Sequence, residues 1–262
     1  MSADPYAPPR NRVADPDATL PDGAFVPGGR GVSAGRGWDW IADAWRLMGP
    51  QRWTFIGVLV LYWLMFLAAS YVPVLGGFVA ALFAPVLLGG VMLGCDAVRR
   101  GEQLEVRHLF LGFQRHFGKL VGVGAISLGL SILVVIVMGA IIGASFGTMM
   151  LAGAEPSPED IVGMGTTILL AALVAMAISI PAYMFLWFAS PLIVLGGLDV
   201  GAALKASFSG CLKNVLPYLV WGVIVLVLAI AATIPLFLGW LLLAPVLTVS
   251  VYTAYRDIFY KA

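Results

Sequence analysis

Residues 120–151 read LVGVGAISLGLSILVVIVMGAIIGASFGTMML, an apolar run without Asp, Glu, Lys, Arg or His. A helix crosses the hydrocarbon of a bilayer in about 20 residues. This stretch is longer, so it reads as a transmembrane helix that tilts or protrudes on one side. Working outward, similar runs extend over 53–72 and 75–97 before it, and over 164–197, 216–234 and 236–254 after it. In the fourth of these six runs, Pro181 and Pro191 are natural kink points. Composition agrees with this reading. The 262 residues are 61% apolar and 11% charged, against roughly 45–50% and about 25% in soluble domains. The balance excludes a nucleic-acid-binding protein, a disulfide scaffold and a disordered chain. The expected fold is an all-α membrane protein with six transmembrane helices.

Residues 1–36 carry six prolines, five glycines and scattered charge. Such a stretch buries too little to offset its ordering entropy and is expected to be a disordered tail. It lacks the apolar h-region of a signal peptide. The six-span domain is then 37–262. Charge orients it. The 15 basic and 14 acidic residues nearly cancel. Yet the tail with the first helix after it, the loops 98–119 and 198–215 and the C-terminus, placed on one side, gather every Lys and Arg. The largest opposite loop, 152–163, carries Glu155, Glu159 and Asp160. The positive-inside bias puts both termini in the cytoplasm.

A short amphipathic segment precedes each pair of runs. The first places Trp38, Ile41, Trp45 and Met48 at helical spacing. The second aligns Leu109, Phe110, Phe113, Phe117 and Leu120, and the third Val200, Ala203, Leu204, Ser207, Phe208 and Cys211 or Leu212. With basic flanks, all three read as helices lying in the cytoplasmic interface, or as helices packed on the underside of the bundle. The even-numbered runs share a small residue, a proline and aliphatics: Ala84-Pro85-Val86-Leu87, Ser190-Pro191-Leu192-Ile193 and Ala244-Pro245-Val246-Leu247. Each precedes a boundary aspartate, Asp96, Asp199 or Asp257. The unit of amphipathic helix, span and proline-broken span is therefore expected three times. Asp199 fits the N-cap of the next helix. Asp96 and Asp257 are expected to pair with Arg99, Arg100 and Arg256.

Chemistry is sparse. No ionisable group lies within the runs away from the basic boundary, where proton relays need one. Ser127, Ser131, Ser145, Ser179 and Ser190 have no His or Lys in the runs to act as base. His108 and His116 stand eight apart, roughly 80° around a helix, without a zinc motif. They read as solvated interface residues. No cofactor or metal is expected, Cys95 and Cys211 are expected to be free thiols, and the chain is not expected to be an enzyme.

Gly139, Gly143 and Gly147 form a strip spaced by four, a surface for close helix packing within the chain or between two copies. Aromatic residues near the run ends fit interfacial anchoring.

The stretch Arg36-Gly37-Trp38-Asp39-Trp40-Ile41, the turn Asp96-Ala97-Val98-Arg99-Arg100-Gly101-Glu102 and the following Leu109-Phe110-x-Gly112-Phe113 resemble a family of small proteobacterial inner-membrane proteins over residues 36–260. The resemblance implies topology and carries no active site. More loosely, 206–217 and the final pair of runs look like the membrane domain attached to some glycerophosphodiester phosphodiesterases. The chain has no extramembrane segment large enough for their catalytic domain.

Two functional expectations follow. The first is a non-enzymatic scaffold, assembly or membrane-organising protein. Its lipid contacts, anionic lipids included, would be Trp38, Trp45, Arg99, Arg100, Arg107, Arg115 and Lys119, and its partner a second copy or another membrane protein. The second is a transporter or channel for a small or apolar substrate, with a cavity lined by Pro85, Ser190, Pro191, Pro245, Thr248 and Ser250.

Overall fold

Backbone polar groups in hydrocarbon must be satisfied within the chain, so each long apolar run forms a helix. The structure, a computed structural model, describes residues 23–73, 75–151 and 157–261. In chain order its helices are α1 (Arg36–Met48), α2 (Arg52–Ser70), α3 (Leu75–Arg99), the short α4 (Val106–Leu109) and α5 (Leu111–Gln114), and α6 (Phe117–Leu151). Then come α7 (Pro158–Leu186), α8 (Ala189–Val194), α9 (Val200–Lys213), α10 (Val215–Thr233) and α11 (Trp240–Phe259). Among the described residues five stretches are long and apolar enough to cross a membrane: Arg36–Ser70, Leu75–Arg99, Phe117–Gly147, Val162–Val194 and Val215–Thr233. The first runs α1 into α2 through a single tight turn, Gly49–Gln51. The sixth expected span corresponds to α11, which is not among these five. Its last two turns carry Tyr252, Thr253, Tyr255, Arg256 and Asp257. That helix starts at Trp240 rather than at 236, because Leu236 and Phe237 take left-handed φ angles of 52° and 65° in the preceding turn.

The core lies toward the basic end. One cluster joins Trp40, Phe188, Leu192, Ile193, Tyr255 and Phe259. The other joins Ile41, Met48, Phe55, Leu59, Met92, Leu109 and Tyr252. Helices α1 and α11 contribute to both and form their seam. Away from the core the helices stay bare. In the most apolar stretch of α6 no residue is buried, whereas half of that of α3 is. Lipid tails are as apolar as these side chains, so a helix face need not be covered by protein.

Glycines set the closest crossings. A Cβ on Gly37 would strike the Pro217 carbonyl, and one on Gly112 the Val86 carbonyl. The first locks α1 onto α10, the second α5 onto α3. The amphipathic segments are therefore not free interfacial helices. The buried face of α1 is Gly37, Trp40, Ile41, Ala44 and Met48, while Trp38 and Trp45 are 56% and 39% exposed. Of the expected stripe Ile41 and Met48 face inward, and Trp40, outside that stripe, fills the core beside them. The second segment is not one helix. It breaks at Phe110 and again at His116, whose φ is 61°. His108 is buried, not solvated. Its Nδ1 accepts the Glu105 N–H at 3.0 Å and closes the start of α4.

Of the three repeated prolines, only Pro191 coincides with a break. Helices α3 and α11 continue through Pro85 and Pro245, and α7 through Pro181. Pro191 has no N–H to give to the Trp187 carbonyl, and its ring crowds that carbonyl. The helix stops at Leu186 and restarts at Ala189. The Ser207 hydroxyl of α9 fills the gap, accepting the Phe188 N–H at 3.0 Å and donating to the Met184 carbonyl at 2.7 Å. A single buried oxygen thus replaces one rung of the helical ladder.

The expected tail over 1–36 is corrected in its second half. Residues 1–22 lie outside the described residues. From Gly23 the chain forms an ordered strap across the ends of α9 and α11. Phe25 bridges Tyr260, and the Val26 and Arg30 N–H groups donate to the Phe259 and Ile258 carbonyls at 2.8 and 2.9 Å. Buried Asn214 accepts from the Val32 N–H and donates to the Arg30 carbonyl, both at 2.8 Å. Backbone groups satisfied in this way hold a Gly- and Pro-rich segment without a core of its own.

Candidate functional site

The chemistry of the chain concentrates at the basic end, in two carboxylate-centred clusters. Asp257, with a side chain only 8% exposed, receives Arg30 Nη2 at 2.9 Å, Arg36 Nε at 2.7 Å and Trp40 Nε1 at 2.9 Å. Arg30 Nε also donates to its carbonyl at 2.7 Å. The strap, α1 and α11 are pinned at one point. The expected partner Arg256 instead lies over the Tyr260 ring, 3.9 Å from its centroid. One turn of helix separates side chains by about 100° per residue, so adjacent Arg256 and Asp257 point apart.

Asp96 centres the second cluster. Tyr252 OH donates to its Oδ1 at 2.8 Å, Arg99 binds it at 3.1 Å, and Arg100 lies 3.6 Å away. Here the pairing expected from sequence is present. Asp199 occupies the N-cap position of α9 without a side-chain cap bond. It pairs with Lys119 at 2.6 Å instead, and that ammonium holds its carboxyl below the ordinary value. Among the other expected interface residues, Arg107 is 73% exposed and pairs with Glu105, and Arg115 is exposed. Arg52 stacks over Trp45 at 4.0 Å.

The glycine strip and the expected cavity behave differently. Among the described residues, nothing lies within 4 Å of a Cβ built on Gly139, Gly143 or Gly147. Gly90, by contrast, meets the carbonyls of the 104–114 segment, and Gly94 the Leu104 side chain. Replacing Gly143 by Leu should leave the thermal unfolding of the detergent-solubilised chain unchanged, within about 0.5 kcal/mol. A large loss of stability would show that the strip is covered.

The six expected cavity residues sit in α3, α8 and α11. Ser190 Oγ donates to the Pro85 carbonyl at 3.2 Å, joining α8 to α3. Ser250 Oγ accepts from Trp221 Nε1 at 3.1 Å, and Thr248 Oγ1 donates to the Ala244 carbonyl at 2.9 Å. Pro191 is buried, and Pro245 borders an apolar groove between α2 and α11 with Trp63 and Trp240. Sequence reasoning missed the strap and the Ser207 insertion. It had no signal for either, since both partners are remote in the chain.

Both cysteines are free and buried. Burial pushes the Cys211 thiol up to about 12, so it stays protonated at neutral pH. Among the described residues no three His, Cys, Asp or Glu side chains gather as a metal site.

The five apolar helices make the chain a multi-pass integral membrane protein. It is similar to a protein of Burkholderia thailandensis named as a probable inner membrane protein. The two share 28% identity over 211 residues, 77% of this chain and 76% of the relative. No family model matches, and no solved structure matches.

Proposed function

We propose that the chain is a non-enzymatic inner-membrane protein that organises lipid or a partner at the cytoplasmic leaflet. On this reading it has six spans, both termini inside and a threefold unit of amphipathic helix plus helical hairpin. The observation that carries the reading is the division of the surface. Apolar side chains are bare along α6, α7 and α10, while the described ion pairs gather at one end. The name of the relative supports the compartment. The excess of Lys and Arg at the ends joined by 98–119 and 198–215 supports the orientation. The likeness of 206–217 to phosphodiesterase membrane domains bears on topology alone.

Anionic lipid attracts a basic residue near the surface by roughly 1 kcal/mol. Arg107 and Arg115 are exposed basic members of the expected set and lie outside both core clusters. The double substitution Arg107→Gln, Arg115→Gln should therefore weaken retention of anionic lipid by roughly 2 kcal/mol and leave folding intact. Lipid counted per purified protein gives the measurement. Retention equal to wild type would remove the lipid part of the proposal.

A further inference from the structure

A groove of about 270 Å³ opens between α6 and α7, within the apolar stretches Phe117–Gly147 and Val162–Val194. Its lining includes the hydroxyl residues Ser127, Ser131, Ser179 and Tyr183 among aliphatic neighbours such as Val134 and Leu186. Among the described residues no charged side chain lines it. We propose that this groove binds the carbonyl group of a neutral, membrane-dissolved molecule.

The proposal stands on two hydroxyls left without a partner. A serine or threonine in a membrane helix ordinarily bonds to a carbonyl of its own helix or to a neighbouring helix. Here Ser131, Thr166, Thr167, Thr233 and Thr248 each donate to the carbonyl four residues back, at 2.8–3.0 Å. Ser127 and Ser179 do not, and among the described residues neither hydroxyl has a hydrogen-bond partner. Both residues are half-buried. In hydrocarbon no water replaces a missing partner, so an unbonded hydroxyl costs free energy. Two donors lining one groove, one from each helix, therefore call for an acceptor from outside the chain.

Charge and depth select the acceptor. Phosphate takes its strong bonds from Arg and Lys, and neither is in the lining. Ser127 stands eight residues, about 12 Å, along α6 from Lys119, which pairs with Asp199 at the basic end. The groove thus lies on the tail side of the charged end, where a bilayer offers carbonyl oxygens rather than phosphates. Its volume falls just below that of small-molecule sites, about 300–1,000 Å³. That is room for the polar end of a molecule whose tails stay in the bilayer. Such a carbonyl has two sources: the acyl ester of a glycerolipid, or a quinone dissolved among the tails. The proposal rests on α6 and α7 crossing the membrane, and not on the organisation of lipid at the cytoplasmic leaflet.

The test uses the full chain in detergent, with affinity read by native mass spectrometry. Three probes separate the sources: phosphatidylethanolamine with ester-linked chains, its ether-linked analogue, which lacks both carbonyls, and ubiquinone. For a glycerolipid site, wild type should prefer the ester lipid to the ether lipid roughly tenfold, and Ser127→Ala/Ser179→Ala should abolish that preference. For a quinone site, the double variant should weaken ubiquinone binding roughly tenfold while the two lipids bind alike. Thr166→Val, outside the groove, should change neither result. The ester and ether comparison needs the wild-type chain alone, and the single variants serve for ubiquinone where the double one does not fold. If wild type binds the ester and ether lipids alike and the serine variants hold ubiquinone as wild type does, the groove is not a carbonyl site. An equal loss of ester and ether lipid in the double variant would also overturn the proposal. Arg107→Gln/Arg115→Gln should leave all three probes unaffected, because neither residue lines the groove, so each of the two proposals can fail alone.

Discussion

Gly90→Ala is expected to detach the 104–114 segment from α3, at a cost of about 3 kcal/mol or more. The new Cβ would land on the Leu109 carbonyl oxygen, with the His108 carbonyl oxygen and Leu109 carbonyl carbon both 2.6 Å away. These are backbone atoms, tied into α4 by the bond of Glu105 to His108. They cannot swing aside as a side chain can. Two comparisons isolate the cause. At Gly94 the nearest atom is the end of the Leu104 side chain, at 2.6 Å, so Gly94→Ala should cost less. At Gly57 nothing lies within 4 Å, and the gain in helix propensity, up to about 1 kcal/mol, should leave that variant neutral or stabilised. Thermal unfolding of the three proteins in one detergent ranks them. An unfolding temperature for Gly90→Ala equal to that of Gly57→Ala would refute the close approach.

Removing one oxygen from α9 should be nearly as damaging. Ser207→Ala strands the Phe188 N–H and the Met184 carbonyl, which the hydroxyl now joins in series. Each buried group left unsatisfied costs about 1–3 kcal/mol, so a loss of roughly 2–4 kcal/mol is expected. The two groups could meet directly only if α7 straightened. That would move Phe188, which is fully buried and packs its ring edge-on against Phe259 with centroids 5.4 Å apart. The cost therefore appears either as orphaned groups or as a disturbed aromatic core. Ser209→Ala is the control, since that hydroxyl makes a single bond to the Gly28 carbonyl, in a half-buried place. Equal unfolding temperatures for Ser207→Ala and Ser209→Ala would show that the inserted hydroxyl does not hold the break.

How legible the molecule is in its sequence depends on the range of the interaction involved. Long apolar helices are local matters of composition and length, and five of the expected spans are present as helices that meet both criteria. The pairing of Asp96 with Arg99 and Arg100 is local too, three and four residues along one helix. Asp257 shows the opposite case. Its partners Arg30 and Arg36 are 227 and 221 residues away, beyond the reach of any helical spacing. The inner face of α1 depends on distant contacts too. Its periodicity suits either Trp38 and Trp45 or Trp40 and Ala44 as the inner side. The choice falls to the glycine contact at Gly37 and the Asp257 bond to Trp40.

Hydropathy and the placement of Lys and Arg are enough to establish a helical, multi-pass membrane chain with one basic end. Membrane helices satisfy their own backbone, and the bilayer reads charge at their ends. Which small residues meet a neighbour could not be inferred. Gly139, Gly143 and Gly147 have the better spacing yet meet none of the described residues, while Gly90 and Gly112 lie against backbone carbonyls. In lipid no hydrophobic force presses one apolar face rather than another inward. Close contacts and hydrogen bonds between distant segments make that choice, and they exist only once the chain is folded.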